Sequence, residues 1–202
     1  MNAKYLIPLC AAAVIIAGCG SRDEAARTAD TADAPATTAT PAPADAPPAA
    51  DTPPSAGAAA QLTPTNGHTA SGTLALSAEG DSVRLTGSLQ GLPPNSEFGF
   101  HIHEKGDCSA PDASSAGGHF NPTNAQHGNP QGAAHHAGDM LNAKSDANGA
   151  AQVDVVAGGV SLTSGQPNDV HGKAIVLHEK ADDYASQPAG NSGARIACGV
   201  IH

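Results

Sequence analysis

Forty-one consecutive residues, 20–60, contain 16 Ala, 7 Pro and 6 Thr and not one Val, Ile, Leu, Met or aromatic side chain. Such a stretch has almost nothing to bury, so nothing offsets the entropy lost on ordering it. It reads as a disordered, partly extended tether, and the folded domain is expected from 61–202. That segment in turn lacks what a helical domain needs. No run in it sustains the i, i+3, i+4, i+7 apolar spacing with caps, whereas short alternating runs bounded by Gly, Asn, Asp and Pro recur. Runs at 73–76 and 83–89 flank Glu79-Gly80-Asp81, a hairpin signal, and further strands are expected at 98–103, 151–156, 174–178 and 196–201. An all-β fold follows, an antiparallel sandwich or barrel. With no Trp, three Phe and two Tyr in the whole chain, its core must be largely aliphatic.

The first residues carry a different signal. Lys4 is the one charge in 1–18, and the apolar run from Tyr5 to Ala17 is too short to span a bilayer. The run closes on Ile16-Ala17-Gly18-Cys19, which resembles a bacterial lipobox. The expected organisation is therefore a signal peptide at 1–18, a tether at 19–60 with Cys19 lipidated, and a folded domain at 61–202. Gly20 follows rather than Asp, and by resemblance to Gram-negative lipoproteins that favours sorting to the outer membrane. The expected location is the periplasmic side of a Gram-negative envelope. A formal net charge of −10 lacks the basic face that a nucleic-acid partner requires.

All ten His lie in 61–202. On the strand around Phe98, side chains alternate faces, so Phe98, Phe100 and Ile102 point one way while His101 and His103 point the other. Two imidazoles at i and i+2 make a bidentate metal clamp. His178 is in phase with Val176 and Ala174 and leaves the face of a small-residue stripe. Between Glu104 and Leu141 lies a long segment rich in Gly, Asn, Ser and His, which adds His119, His127, His135, His136 and Asp139. Imidazoles with one carboxylate suit zinc, and three or four imidazoles suit Cu(II). A helical His-Glu-x-x-His zinc motif is excluded, because Asp107 and Asp182 stand where the second His would be.

Taken in order, Phe100-His101-Ile102-His103-Glu104, Gly118-His119-Phe120-Asn121-Pro122, His127-Gly128, His136-Ala137-Gly138-Asp139, His178-Glu179-Lys180-Ala181-Asp182 and Gly193-Ala194-Arg195-Ile196-Ala197-Cys198-Gly199-Val200 resemble copper/zinc superoxide dismutase, bacterial periplasmic type, over nearly all of 61–202. The resemblance implies an eight-stranded Greek-key barrel with long metal-binding loops. It implies one copper held by His101, His103, His119 and His178, and one zinc held by His119, His127, His136 and Asp139. His119 would then bridge the ions as an imidazolate. The implied activity is dismutation of superoxide to O₂ and H₂O₂, with His119 returning a proton and Arg195 holding the anion by charge and hydrogen bonds. Asp182 resembles the family carboxylate that links a copper-bound to a zinc-bound imidazole, here His101 and His127. His68, His135, His171 and His202 fall outside the motifs.

Cysteine usage agrees. Cys10 leaves with the signal and Cys19 is the lipid site, so Cys108 and Cys198 remain as one pair in an oxidising compartment. The segment from Glu179 to Ala194 is short beside that of cytosolic members, which leaves Lys105 or Lys180 as candidates to join Arg195 in drawing in superoxide. Family members occur as monomers and as dimers, so a homodimer is possible. The alternative function is a periplasmic copper-binding or buffering protein without turnover. A structural lipoprotein that kept the barrel but lost the ligands fits less well, since the ligands are present.

Overall fold

The computed structural model describes residues 57–202. The signal at 1–18, Cys19 and the tether as far as residue 56 lie outside the described residues. Strand β1 (Ala58–Pro64) begins before the expected boundary at 61 and corrects it. The cause is alternation: Ala58, Ala60 and Leu62 point into the core, and an alanine pair is too weak an apolar signal to mark a strand in an alanine-rich sequence. β2 (Ser71–Glu79) and β3 (Ser82–Gln90) follow as the expected hairpin. Glu79 pairs with Ser82, and Gly80, with φ of 60°, takes the first central position of a two-residue turn that needs positive φ there.

The remaining strands are β4 (Glu97–Phe98), β5 (Phe100–His103), β6 (Ala143–Lys144), β7 (Ala151–Gly158), β8 (Ala174–His178) and β9 (Arg195–Val200). Seven of them form one curled antiparallel sheet in the order β5-β8-β9-β1-β2-β3-β7, and β4 pairs with β6. Only Gly99 separates β4 from β5, so the two are one run and the strand count is the expected eight. β6 lies against β7, which brings the two ends of the sheet together. Non-neighbours in sequence, such as β5 with β8 and β3 with β7, are joined by crossovers in Greek-key fashion. Among the described residues the single helical turn is a 3₁₀ turn at Ser114–Ala116.

The core fills the interior with Leu62, Leu74, Leu76, Leu85, Leu89, Ile102, Ile175, Leu177 and Ile201, closed by Phe98 and Phe100. A second, smaller apolar cluster lies on the opposite face of the sheet: Ala113, Ala116, Ala174, Val176 and Cys198, with Cys108 packed against it. This is the small-residue stripe expected beside His178. Every residue of β5 and β8 is buried, because the core covers one face and the 104–142 segment the other.

Candidate metal centre

β5 is the outer strand of the seven-stranded sheet, and the long segment after it folds back along its free edge. Phe120 N–H donates to Ile102 O at 2.8 Å, Ile102 N–H to Gly138 O at 2.9 Å and Glu104 N–H to Gly118 O at 2.9 Å. These bonds place His119 opposite His103 and Asp139 opposite His101. Glycine is needed at 138, since a Cβ there would collide with the Ile102 carbonyl. On β8, alternation puts Ile175 and Leu177 into the core and Ala174, Val176 and His178 on the other face, so the His178 ring enters the same space. Sequence positions 101 to 178 thus converge on one buried cluster.

Two groups of four ligand atoms result, His101, His103, His119 and His178, and His119, His127, His136 and Asp139, each within 4.8 Å of one another. His119 belongs to both. The far nitrogens explain which atoms face inward. His101 Nε2–H donates to Asp182 Oδ2 at 2.7 Å, His103 Nδ1–H to Gly117 O at 2.9 Å and His178 Nδ1–H to Gly193 O at 3.3 Å. That leaves His101 Nδ1 without a partner and sets His103 Nε2 and His178 Nε2 face to face at 3.4 Å. His119 Nε2 is buried and unpaired on the same side. A buried polar atom without a partner is costly, so a cluster of inward-facing lone pairs marks a place for a cation.

The second group is built the same way. His127 Nε2–H donates to Asp182 Oδ1 at 3.0 Å, and its Nδ1 lacks an aligned partner although Asp139 Oδ2 is 3.1 Å away. Asp139 Oδ2 is occupied by the N–H groups of Gly128 and His136, at 3.1 and 2.8 Å. Asp139 Oδ1 instead faces His119 Nδ1 at 2.7 Å and His136 Nδ1 at 3.3 Å. Four imidazole nitrogens fit copper, and three imidazoles with a carboxylate oxygen fit tetrahedral zinc.

Burial holds His101 down to about 4 despite its bond to Asp182, and holds His178 down to about 3, helped by neighbouring imidazoles. Burial lowers His103 too. All three are therefore neutral at pH 7, the state a ligand must have. His127 behaves oppositely. Burial works against its charge, but Asp139 and Asp182 on either side raise it to about 9. Those two carboxyls are held well below the usual range, since their bonds to histidine outweigh burial.

In front of the copper-type group lies a cavity of about 300 Å³, lined by His103, His119, His136, His178, Asn121, Pro188, Ala189 and Arg195 among others. Arg195 is braced from behind: Nη1 donates to Ala113 O and Nη2 to Gly117 O, both at 2.6 Å. Ala113 adopts a φ of 55°, rare for a residue with a Cβ, and that conformation aims its carbonyl at the guanidinium. Cys108 and Cys198 form a disulfide that ties the start of this loop to β9. Neither Lys105 nor Lys180 lines the cavity, and Lys180 Nζ instead lies 3.9 Å from Glu179. A larger cavity of about 530 Å³, beside β4, β6 and β7, contains no candidate ligand.

Every sequence-predicted ligand thus joins its expected group. The sequence did not reveal Asn142, whose side chain bonds Asp182 at both N–H and C=O, each at 3.0 Å. It also did not reveal Gln187, which clasps the backbone of His127. Both are polar residues in irregular segments, and no pattern links them to partners 40 or 60 positions away. Of the four histidines outside the motifs, His171 bonds Asp169 and His135 bonds the carbonyl of His136, as hydrogen-bonded side chains.

A family model described as copper/zinc superoxide dismutase matches residues 70–201. The Cu-Zn superoxide dismutase 2 of Aquifex aeolicus (strain VF5) is 46% identical over 149 residues, 71% of this chain and 85% of that protein. The superoxide dismutase-like protein YojM of Bacillus subtilis (strain 168) is 48% identical over 119 residues, 56% of this chain and 60% of that protein. The crystal structure of a SOD-like protein from Bacillus subtilis superposes with a TM-score of 0.65 at 41% identity, covering 71% of this chain and 97% of that one.

Proposed function

This chain belongs to the copper/zinc superoxide dismutase family, and on that premise we propose that it dismutates superoxide, converting two superoxide anions and two protons to O₂ and H₂O₂. The observation that carries the reading is the pair of complete ligand groups meeting at His119. When bound at one ion per group, copper supplies one-electron exchange in both directions and redox-inert zinc supplies fixed positive charge.

The chain's own residues do the rest. His119 presents Nε2 to the copper group and Nδ1 to the zinc group, so its ring can give up both protons or hold one at Nε2. A proton held at Nε2 faces the cavity and can pass to the reduced substrate. Asp139 and His136 keep the other edge of the ring in place during that transfer. Arg195 stays protonated at any working pH and gives the small anion a charged, hydrogen-bonding wall. Asp182 joins His101 to His127, so one carboxylate sets the tautomer of a ligand in each group.

We extend the proposal to location, read from the residue pattern of 1–60. Residues 1–18 are the signal, Cys19 is lipidated, and the tether holds the enzyme off the periplasmic face of the outer membrane. The Cys108–Cys198 disulfide supports an oxidising compartment. Metal content and dismutase activity of the purified chain test the enzyme, with one copper and one zinc per chain and activity abolished in His119→Ala as the expected result. Metal binding without turnover would select the copper-buffering alternative. Fractionation of Cys19→Ser, expected to move from membrane to soluble periplasm, tests the anchor.

A further inference from the structure

The segment after Asp182 returns to the same histidine a second time. Gln187 Oε1 accepts the N–H of His127 at 3.0 Å, and Gln187 Nε2 donates to the C=O of His127 at 2.8 Å. An amide that closes both hydrogen bonds on one residue acts as a miniature strand partner and ties down the two peptide units that flank that residue's Cα. Asp182 meanwhile holds the His127 ring at Nε2. Ring and backbone of one candidate zinc ligand are thus located by a single short segment. Gly190 shows how closely that segment is packed, since a Cβ there would collide with the Asp182 carboxylate and the His127 ring. Gln187 is itself exposed, so the contact is no by-product of core packing. The next two residues, Pro188 and Ala189, form part of the wall of the cavity in front of the copper-type group.

We propose that Gln187 is a positioning residue for His127, and that through it occupancy of the zinc group sets the shape of the small-anion cavity. The proposal rests on the metalloenzyme reading above. Without the amide, His127 keeps its ring bond to Asp182 but loses both anchors on its backbone, so Nδ1 is less well aimed. An ion held at Nδ1 holds His127, His127 holds Gln187, and Gln187 fixes where Pro188 and Ala189 narrow the cavity.

The test uses the full chain, stripped of metal and titrated with Co(II) as a visible probe of the zinc group, then loaded with Cu(II) and titrated with azide. Gln187→Met keeps length and volume and removes both hydrogen bonds. Ser186→Ala loosens the same segment by removing bonds to Asp183 and Asn191 but touches nothing at His127. Gln187→Met should weaken Co(II) binding about tenfold, alter the tetrahedral Co(II) absorption band and shift azide affinity, while Ser186→Ala does none of these. The proposal is overturned if Gln187→Met binds Co(II) within about twofold of the parent, well short of the usual effect of such partners, or if Ser186→Ala loses as much. A parent that dismutates superoxide and binds Co(II) while Gln187→Met is unaffected sinks this proposal alone. A parent that takes up no Co(II) sinks the metalloenzyme reading with it.

Discussion

The Asp182 carboxylate accepts three N–H groups while fully buried: His101 Nε2 at 2.7 Å, His127 Nε2 at 3.0 Å and the backbone of Tyr184 at 2.6 Å. Asp182→Asn cannot satisfy all three. Its one carbonyl oxygen belongs where Oδ1 stood, because the His127 and Tyr184 donors converge there, and its NH₂ then opposes His101 Nε2–H. Turning the amide over would oppose two donors instead of one. A buried imidazole N–H left unpaired costs about 1–3 kcal/mol, or roughly 5- to 150-fold in a binding constant. The lost charge also weakens the two bonds that survive. Metal affinity should therefore fall about 10- to 100-fold, and since nitrogen-rich sites hold Cu(II) more tightly than Zn(II), zinc should be lost first. The assay is metal content after dialysis of the loaded chain against a graded chelator series. Asp183→Asn is the control, because that carboxylate bonds Ala185, Ser186 and Asn191 and no candidate ligand. The reasoning fails if Asp182→Asn keeps zinc over the same chelator range as the parent, or if Asp183→Asn loses it equally.

Arg195→Gln should leave copper and zinc content unchanged and slow dismutation about tenfold, the loss of one charge-assisted contact, with a flatter salt dependence. Lys105→Glu should leave the rate unaltered, since Lys105 does not line the cavity; a slowed Lys105→Glu would restore long-range steering. Cys198→Ser opens a loop with a sequence separation of 90. The chain-entropy argument puts that loss at about 4–5 kcal/mol, measured as a fall in urea midpoint. For the metal-free chain, His101 at about 4 and His178 at about 3 lie below their unfolded value. The unfolded state then takes up protons first as pH drops, so stability present above about pH 6.5 is lost toward pH 4. His127, raised to about 9, contributes the opposite way, present below about 6.5 and lost as pH rises through 9. Urea titrations from pH 4.5 to 9.5 should give a maximum near neutrality, and a flat profile would refute the assignment.

Much of this centre could be read from the chain because it is built on strands. A period of two placed His101 and His103 on one face of β5 with no knowledge of what they meet. The order of the later motifs added the other ligands. What escaped is long-range: that 118–120 and 138 would pair with β5, that Gly117 and Gly193 would offer carbonyls to histidines, that Asn142 would clasp the backbone of Asp182, and that Gln187 would clasp the backbone of His127. Such contacts depend on backbone groups, which every residue carries, and so leave no mark in the sequence. That neither Lys105 nor Lys180 lines the cavity escaped for a related reason, since charge can be counted from sequence but its distance from the cavity cannot.

The pairing along β5 has a further consequence, for solubility. An outer strand exposes a row of unsatisfied N–H and C=O groups that another chain can extend into intermolecular sheet. Here those groups are capped by the very segments that carry His119 and Asp139. The protective cover and the ligand platform are therefore one piece of chain. A variant that frees this cover displaces the candidate metal ligands His119 and Asp139 and, in the same event, uncovers Phe100-His101-Ile102-His103 as a template for self-association.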